Sequence, residues 1–401
     1  MTRSPLYVEA IGVRWHVDTA VLDDPQHERM RRLWERAAFA PNPGEDLHTF
    51  RILELGATTG GDAAEPVVAL TDDFEQFPYA FSRALTMASI GRQRGNLLML
   101  HAAGLASADG TGALVMYAPS GTGKSTAATS LGRRLGYLTD ETVAIDDDDV
   151  IKTHPKPISV IVTTRSDKVE HSPDELGLGP TVRGARVRAV VELRRNETFT
   201  EPELVPVDLI DGLLHALAQT SSVALVPHPL DRLAHLLAHS GGPWQLQYAE
   251  IDTCLDLLTD LVEGRGATVD APTVTWTHLP PTADLFLAPE VRTDLSLPVA
   301  SPLHEPLDGD DVTIDEGVRL QRSPYTDALA SDSVVLVLRD NKPTHLMGLG
   351  ALVWRLAERP VTPAEALATA VAQHGAHDEA PALVERAARS LLANGMLVEV
   401  S

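Results

Sequence analysis

A single cysteine in 401 residues, Cys254, rules out an intramolecular disulfide and leaves no thiol cluster for a structural zinc. Its side chain reads as a small buried apolar group. Long apolar runs are missing too: none approaches the roughly 18 residues that a membrane span requires. The opening Met1-Thr-Arg-Ser-Pro-Leu-Tyr lacks the apolar core of a signal peptide. The expectation is a cytoplasmic protein with no membrane partner. Basic residues are few, with 33 Lys and Arg against 56 Asp and Glu, a net charge of −23. That balance argues against a nucleic-acid partner and favours basic ones. No internal repeat is visible. The composition is otherwise that of a folded chain, 44% hydrophobic and 22% charged. Its length suits two to three domains at roughly 150 residues each, and homo-oligomerisation stays open.

The most informative stretch is Ala118-Pro119-Ser120-Gly121-Thr122-Gly123-Lys124-Ser125-Thr126. It reads as a phosphate-binding loop, with Pro119 to Thr126 as the nucleotide-holding residues. Gly121 and Gly123 let backbone N–H groups turn inward, Lys124 brings a point charge to the β- and γ-phosphates, and Ser125 offers a hydroxyl to Mg²⁺. Ala113 to Tyr117 suits a buried strand and Ser125 to Leu135 a helix, so the loop lies where a strand feeds a helix N-terminus. The motif departs from its usual form at Ala118, where glycine is expected.

The rest of the chain divides into four stretches. Residues 1–95 read as an α+β region with strands at Leu6–Ala10 and Thr49–Leu53, helices at His27–Ala38 and about Tyr79–Gln93, and a Gly-rich turn from Ala57. Residues 96–265 carry the phosphate loop, with strands over Leu97–Ala103 and Ala113–Tyr117 joined by the turn after Ser107. Gly136 to Glu141 reads as a strand ending in two acids, and Asp146 to Asp149 as a solvated hairpin tip. Farther on lie a strand from Arg186, helices at 209–219, 230–239 and 251–262, and a strand at Trp244–Tyr248. Residues 266–309 are proline-rich and read as a linker. Residues 310–401 form a small module: strands at 333–338 and 343–347, then helices at 349–358, 363–373 and 380–393. Thr362-Pro-Ala-Glu365 is a capping box, and Gly395 a helix stop.

A phosphate loop only binds; transfer also needs a metal ligand and a group to activate the acceptor. Asp140 and Glu141 follow Lys124 by about the length of one helix and one strand, so both can face the γ-phosphate, one as base and one holding Mg²⁺. His101 ends an apolar strand near the same acids.

Leu100-His101-Ala102-Ala103, the phosphate loop, Leu138-Thr139-Asp140-Glu141 and Pro155-Lys156-Pro157-Ile158-Ser159 occur in this order. Over about residues 80–260 they resemble the HPr kinase-related serine kinases, whose core is similar to phosphoenolpyruvate carboxykinase. The resemblance implies ATP and Mg²⁺ as cofactors, Asp140 as the base that activates a hydroxyl, His101 as its partner, and Glu141 and Ser125 as metal ligands. The Arg-Gly loop that closes over the acceptor in that family has one candidate here, Arg183-Gly184. His345 to Trp354, the helix after Thr362 and Leu391 to Leu397 are similar to the PqqD-like element that holds leader peptides of ribosomally made natural products. It implies a winged-helix-like domain that takes the leader as an added strand, at an edge formed by 334–338 or 344–347. The expected architecture is thus α/β: a P-loop HPr kinase/phosphoenolpyruvate carboxykinase-like core, an N-terminal α+β region and a C-terminal PqqD-type domain. The two resemblances imply a kinase that phosphorylates a Ser or Thr of a precursor peptide, as in lasso-peptide pathways. The alternative is a leader-binding scaffold whose nucleotide site regulates without transferring phosphate.

Overall fold

The computed structural model describes residues 5–57, 65–161, 168–265, 275–289, 309–315, 317–331, 334–339 and 341–400. The chain is mixed α/β and splits into two compact units, one of Met1–Val226 with His235–Pro272, the other of Pro227–Ala234 with Thr273–Arg292 and Pro298–Ser401.

The first unit is organised by a six-stranded sheet in the order Glu203–Pro206, Trp244–Tyr248, Arg186–Arg195, Gly112–Tyr117, Ala102–Ala106, Gly136–Thr139. Arg186–Arg195 runs parallel to both its neighbours, Gly112–Tyr117 and Trp244–Tyr248. Ala102–Ala106 is antiparallel to Gly112–Tyr117 and to Gly136–Thr139. Gly112–Tyr117 and Gly136–Thr139 therefore point the same way, and the segments that leave their C-terminal ends emerge at the same sheet edge. Every residue of Gly112–Tyr117 is buried, which is why it reads as an unbroken apolar run rather than an alternating one. The helix Lys124–Gly132 covers this sheet, with Ala127, Ala128 and Leu131 packed among Leu105, Leu114, Met116 and Tyr137.

Two sequence expectations shift. The strand expected over Leu97–Ala103 breaks at His101: Leu98–Leu100 pairs with Val143–Ile145 and Thr220–Ser221 in a second sheet, whereas Ala102–Ala106 joins the first. The break is made by the His101 amide, which donates to the Gln219 carbonyl at 2.7 Å. The helix expected at His27–Ala38 starts earlier, at Asp24–Leu33, and is followed by a 3₁₀ turn over Glu35–Ala37. Its start is fixed by a capping box between Asp23 and Gln26, with proline in the first turn. The turn read from Ala57 lies almost wholly outside the described residues.

Asp146 to Asp149 close a hairpin between Val143–Ile145 and Ile151–Lys152. Asp146 accepts from the amides of Asp148 and Val150 and pairs with Lys152 at 2.6 Å. These contacts make the acid a turn former, the role expected of a hairpin tip.

In the second unit, Thr277–His278, Asp327–Ser331, Val334–Arg339 and Lys342–Met347 form an antiparallel sheet in that order. Helices Gly348–Leu356, Pro363–His374 and Ala380–Ala393 come next, with a ribbon of Arg319–Arg322 and Leu397–Val400. Both halves of the Thr362/Glu365 capping box form, and Gly395 has the left-handed φ of +66° that a helix stop needs. The proline-rich stretch contributes the Thr277–His278 strand and a buried Leu285 to this unit's core.

Candidate active site

Strand direction alone assembles the site. The loop after Tyr117 and the acids after Thr139 leave the sheet at one edge, separated by a single strand. Gly121 and Gly123 adopt φ of +84° and +102°, values that raise an L-residue's energy by roughly 1–2 kcal/mol. A Cβ at either glycine would meet nothing within 4 Å, so the need for glycine there is one of backbone conformation. Ala118 is not among the described residues with left-handed backbone, which explains why alanine stands in a position usually held by glycine. Ladder bonding in the loop helix begins with the Ala127 amide on the Gly123 carbonyl at 2.9 Å. The amides of Lys124, Ser125 and Thr126 precede that ladder, where helices donate to phosphate.

The Lys124 ammonium is folded onto its own loop, 2.6 Å from the Ala118 carbonyl oxygen and 3.2 Å from that of Pro119. Burial lowers it to about 8. Both its contacts are neutral, so an entering phosphate would supply a counter-charge. Thr122 Oγ1 donates to the Pro119 carbonyl at 2.9 Å and closes the turn.

Asp140 is buried and bonded on several sides. The Tyr137 hydroxyl donates to its Oδ1 at 2.9 Å and the Lys156 ammonium stands 3.3 Å away. Burial pushes its pKa up, but Lys156, then Tyr137 and the nearby Ser125, outweigh burial and hold the carboxyl below the usual aspartate range. Glu141, part-exposed, lies 3.4 Å from Lys156 on its other side. Burial opposes the Lys156 charge, but Asp140, Glu141 and Glu170 hold it protonated above its ordinary value. His101 stands next to Ala102, whose amide donates to the Glu141 carbonyl at 3.1 Å. Burial first, then Lys124, lowers the basicity of the His101 ring.

The structure thus brings Ser125, Lys124, Asp140, Glu141 and His101 to one edge. It does not bring Arg183 there. The strand that starts at Arg186 begins opposite Gly112, the start of the loop strand, and a Cβ on Gly110 would touch Val182 at 3.4 Å. Arg183 is therefore at the far edge, half-exposed and 4.0 Å from Glu9.

Three further participants have no role legible in the sequence. Tyr137 and Lys156 complete the Asp140 network. Glu170, buried beside them, accepts from Ser159 at 2.7 Å with Oε1, while its Oε2 has no partner among the described residues. Burial raises it to about 7 against the pull of Lys156. A lysine between two prolines, Pro155-Lys156-Pro157, is the one visible signal.

Trp354 is core in the second unit: it is buried, with Arg322 stacked 3.9 Å over its ring and Tyr325 edge-on at 5.3 Å. Val334–Arg339 is flanked on both sides, so of the two strands considered as an edge, Lys342–Met347 is the one at the margin of the sheet. Met347 at its end is 65% exposed. Among the described residues no helix is long and apolar enough to cross a membrane.

No family model and no curated protein matches the chain. Among solved structures, the HPr(Ser) kinase/phosphatase from Coxiella burnetii is similar at 12% identity, over 41% of this chain and 94% of that one, with a TM-score of 0.24. At that score the likeness fixes neither fold nor chemistry, and the reading of the site rests on its own residues.

Proposed function

We propose that the first unit is an ATP-dependent kinase that phosphorylates a Ser or Thr hydroxyl of a ribosomally made precursor peptide, and that the Lys342–Met347 edge of the second unit holds the peptide's leader. The observation that carries the kinase reading is Asp140 itself, a buried carboxylate held by Tyr137 at 2.9 Å and Lys156 at 3.3 Å at the same sheet edge as the phosphate loop.

The residues fit a nucleotide with its metal. Gly121 and Gly123 leave open space over the loop, the residues from Pro119 to Thr126 surround it, and Lys124 rests on neutral carbonyls alone. Ser125 and Glu141 are the oxygen donors suited to Mg²⁺. When bound, ATP supplies the phosphoryl group and Mg²⁺ offsets its charge. Asp140 would accept the hydrogen bond of the acceptor hydroxyl, orient its oxygen and take its proton as the bond to the γ-phosphorus forms and the bond from that phosphorus to the bridging oxygen breaks, with ADP as the leaving group. Lys156 and Tyr137 fix the carboxylate in place. His101, next to the Ala102 amide that holds the Glu141 carbonyl, is a positioning residue for the turn that carries both acids. A leader held by the second unit raises the effective concentration of the acceptor residue, so the kinase need not bind a short acceptor sequence tightly.

Incubating the protein with ATP, Mg²⁺ and the precursor peptide encoded beside it, then weighing the peptide, tests this. A peptide heavier by one phosphoryl group supports transfer. A peptide that binds but keeps its mass leaves the nucleotide-regulated scaffold.

A further inference from the structure

Three side chains of the second unit, none of them part of the phosphate-loop site, converge on one point. His228 stands directly before Pro229 at the start of a helix, His278 ends the strand Thr277–His278, and Asp327 opens the strand Asp327–Ser331. One potential ligand atom from each lies within 4.8 Å of the other two. His278 Nε2 is 2.8 Å from Asp327 Oδ1, and the His228 and His278 rings meet edge to face with centroids 5.0 Å apart. We propose that His228, His278 and Asp327 bind one divalent transition-metal ion, Zn²⁺ by preference, with a coordination position left for solvent.

Ligand chemistry selects the ion class. Two imidazole nitrogens and one carboxylate oxygen form the donor set of open zinc sites, whereas Ca²⁺ and Mg²⁺ call for oxygen throughout. A tetrahedral ion held at about 2.0–2.2 Å sets neighbouring donors roughly 3.3 Å apart, so the 2.8 Å contact needs to open by only about half an ångström.

Electrostatics favours an ion as well. Asp327 is wholly buried. Beyond His278 it is bonded to neutral amides, those of Leu230 at 2.9 Å and Ala328 at 3.0 Å. These amides fix the carboxylate's direction without neutralising its charge, which a cation would offset.

The second carboxylate, Asp231, lies behind the His278 ring, with Oδ2 3.9 Å from Nδ1, and is itself held by Trp276 Nε1 at 2.9 Å. At 3.9 Å it makes no hydrogen bond to the ring, but it adds a second negative charge close to the cluster, which favours a bound cation. The ion would tie together three segments far apart in the sequence.

The test uses full-length protein stripped with a chelator and titrated with Co²⁺ as a spectroscopic stand-in, followed by displacement with Zn²⁺. The expected result is one equivalent of Co²⁺ with visible ligand-field absorption, displaced by Zn²⁺ but not by excess Mg²⁺, and a Zn²⁺-dependent rise in the thermal midpoint. His228→Ala, at an exposed position, and His278→Ala should each weaken binding at least roughly tenfold. Asp327→Asn should do the same where it folds, and His228→Ala keeps the test valid where it does not. Failure of wild type to bind Co²⁺ at low micromolar concentration, or binding by His228→Ala and His278→Ala as tight as that of wild type, overturns the proposal and leaves a hydrogen-bonded pair capping a helix.

Discussion

The Lys156 ammonium lies 3.3 Å from the Asp140 carboxylate, and both side chains are withdrawn from solvent. Removing one member strands the other charge in the interior, which destabilises by about 3–5 kcal/mol. Lys156→Met should lower the stability of the first unit by that order, read as a shift of its denaturation midpoint. Asp140→Leu with Lys156→Met should recover much of the loss, because no buried charge is left alone. A Lys156→Met protein as stable as wild type would show that the pair does not exist as described.

Gly123 holds a φ of +102° with open space around its Cα. Gly123→Ala should therefore act through backbone strain of roughly 1–2 kcal/mol and not through a clash, weakening nucleotide binding on the order of tenfold. Lys124→Ala should weaken it further while leaving the fold intact. Titration with a fluorescent ATP analogue checks both. Unchanged affinity in the two variants would remove the loop from the binding site.

Glu170 gives the first unit a pH signature. Burial raises it from 4.5 to about 7, so between these values the folded protein holds a proton that the unfolded chain has released. Its contribution to stability is full below pH 4.5 and declines as pH rises through about 7. Glu170→Gln should abolish that decline, and the wild-type-minus-variant difference should change by on the order of 3 kcal/mol across the window. Thermal unfolding at a series of pH values reads it. A difference that stays flat contradicts a buried, protonated Glu170.

The second unit separates folding from binding. Trp354 is buried between Arg322 and Tyr325, so Trp354→Ala should destabilise the unit by about 3–5 kcal/mol. Met347 is exposed at the end of the sheet's edge strand. Met347→Asp should leave the melting temperature unchanged and weaken leader binding at least roughly tenfold, about 1.4 kcal/mol. Fluorescence anisotropy of a labelled leader peptide distinguishes the two variants, and full binding by Met347→Asp would move the leader elsewhere.

Features with local causes are legible in the sequence. Gly121 and Gly123 announce a left-handed loop, Lys124-Ser125 a phosphate cradle, and Thr362 with Glu365 a helix start, because each depends on residues within one turn. Asp23 and Gln26 carry the same kind of signal, and they start the first helix ahead of the apolar pattern that begins near His27. Partnerships made by topology are not legible. Lys156 reaches Asp140 only because the chain returns after the Asp146–Asp149 hairpin, and Glu170 joins them through pairing of Ile158–Ile161 with Lys168–His171. Arg183 is suitable by residue type, yet the parallel direction of the strand beyond it puts it at the wrong edge. The break at His101 depends on a carbonyl from Gln219, more than a hundred residues away in the chain.

The most direct measurement is the rate of transfer of a radiolabelled γ-phosphoryl group from ATP to the precursor peptide by wild type and by Asp140→Asn, with nucleotide affinity measured on the same preparations. The account predicts label on a Ser or Thr of the peptide with wild type, and a rate lower by about 10²–10⁴ with Asp140→Asn at nearly unchanged affinity for ATP. Transfer by Asp140→Asn at the wild-type rate, or no label on the peptide with either protein, would contradict it.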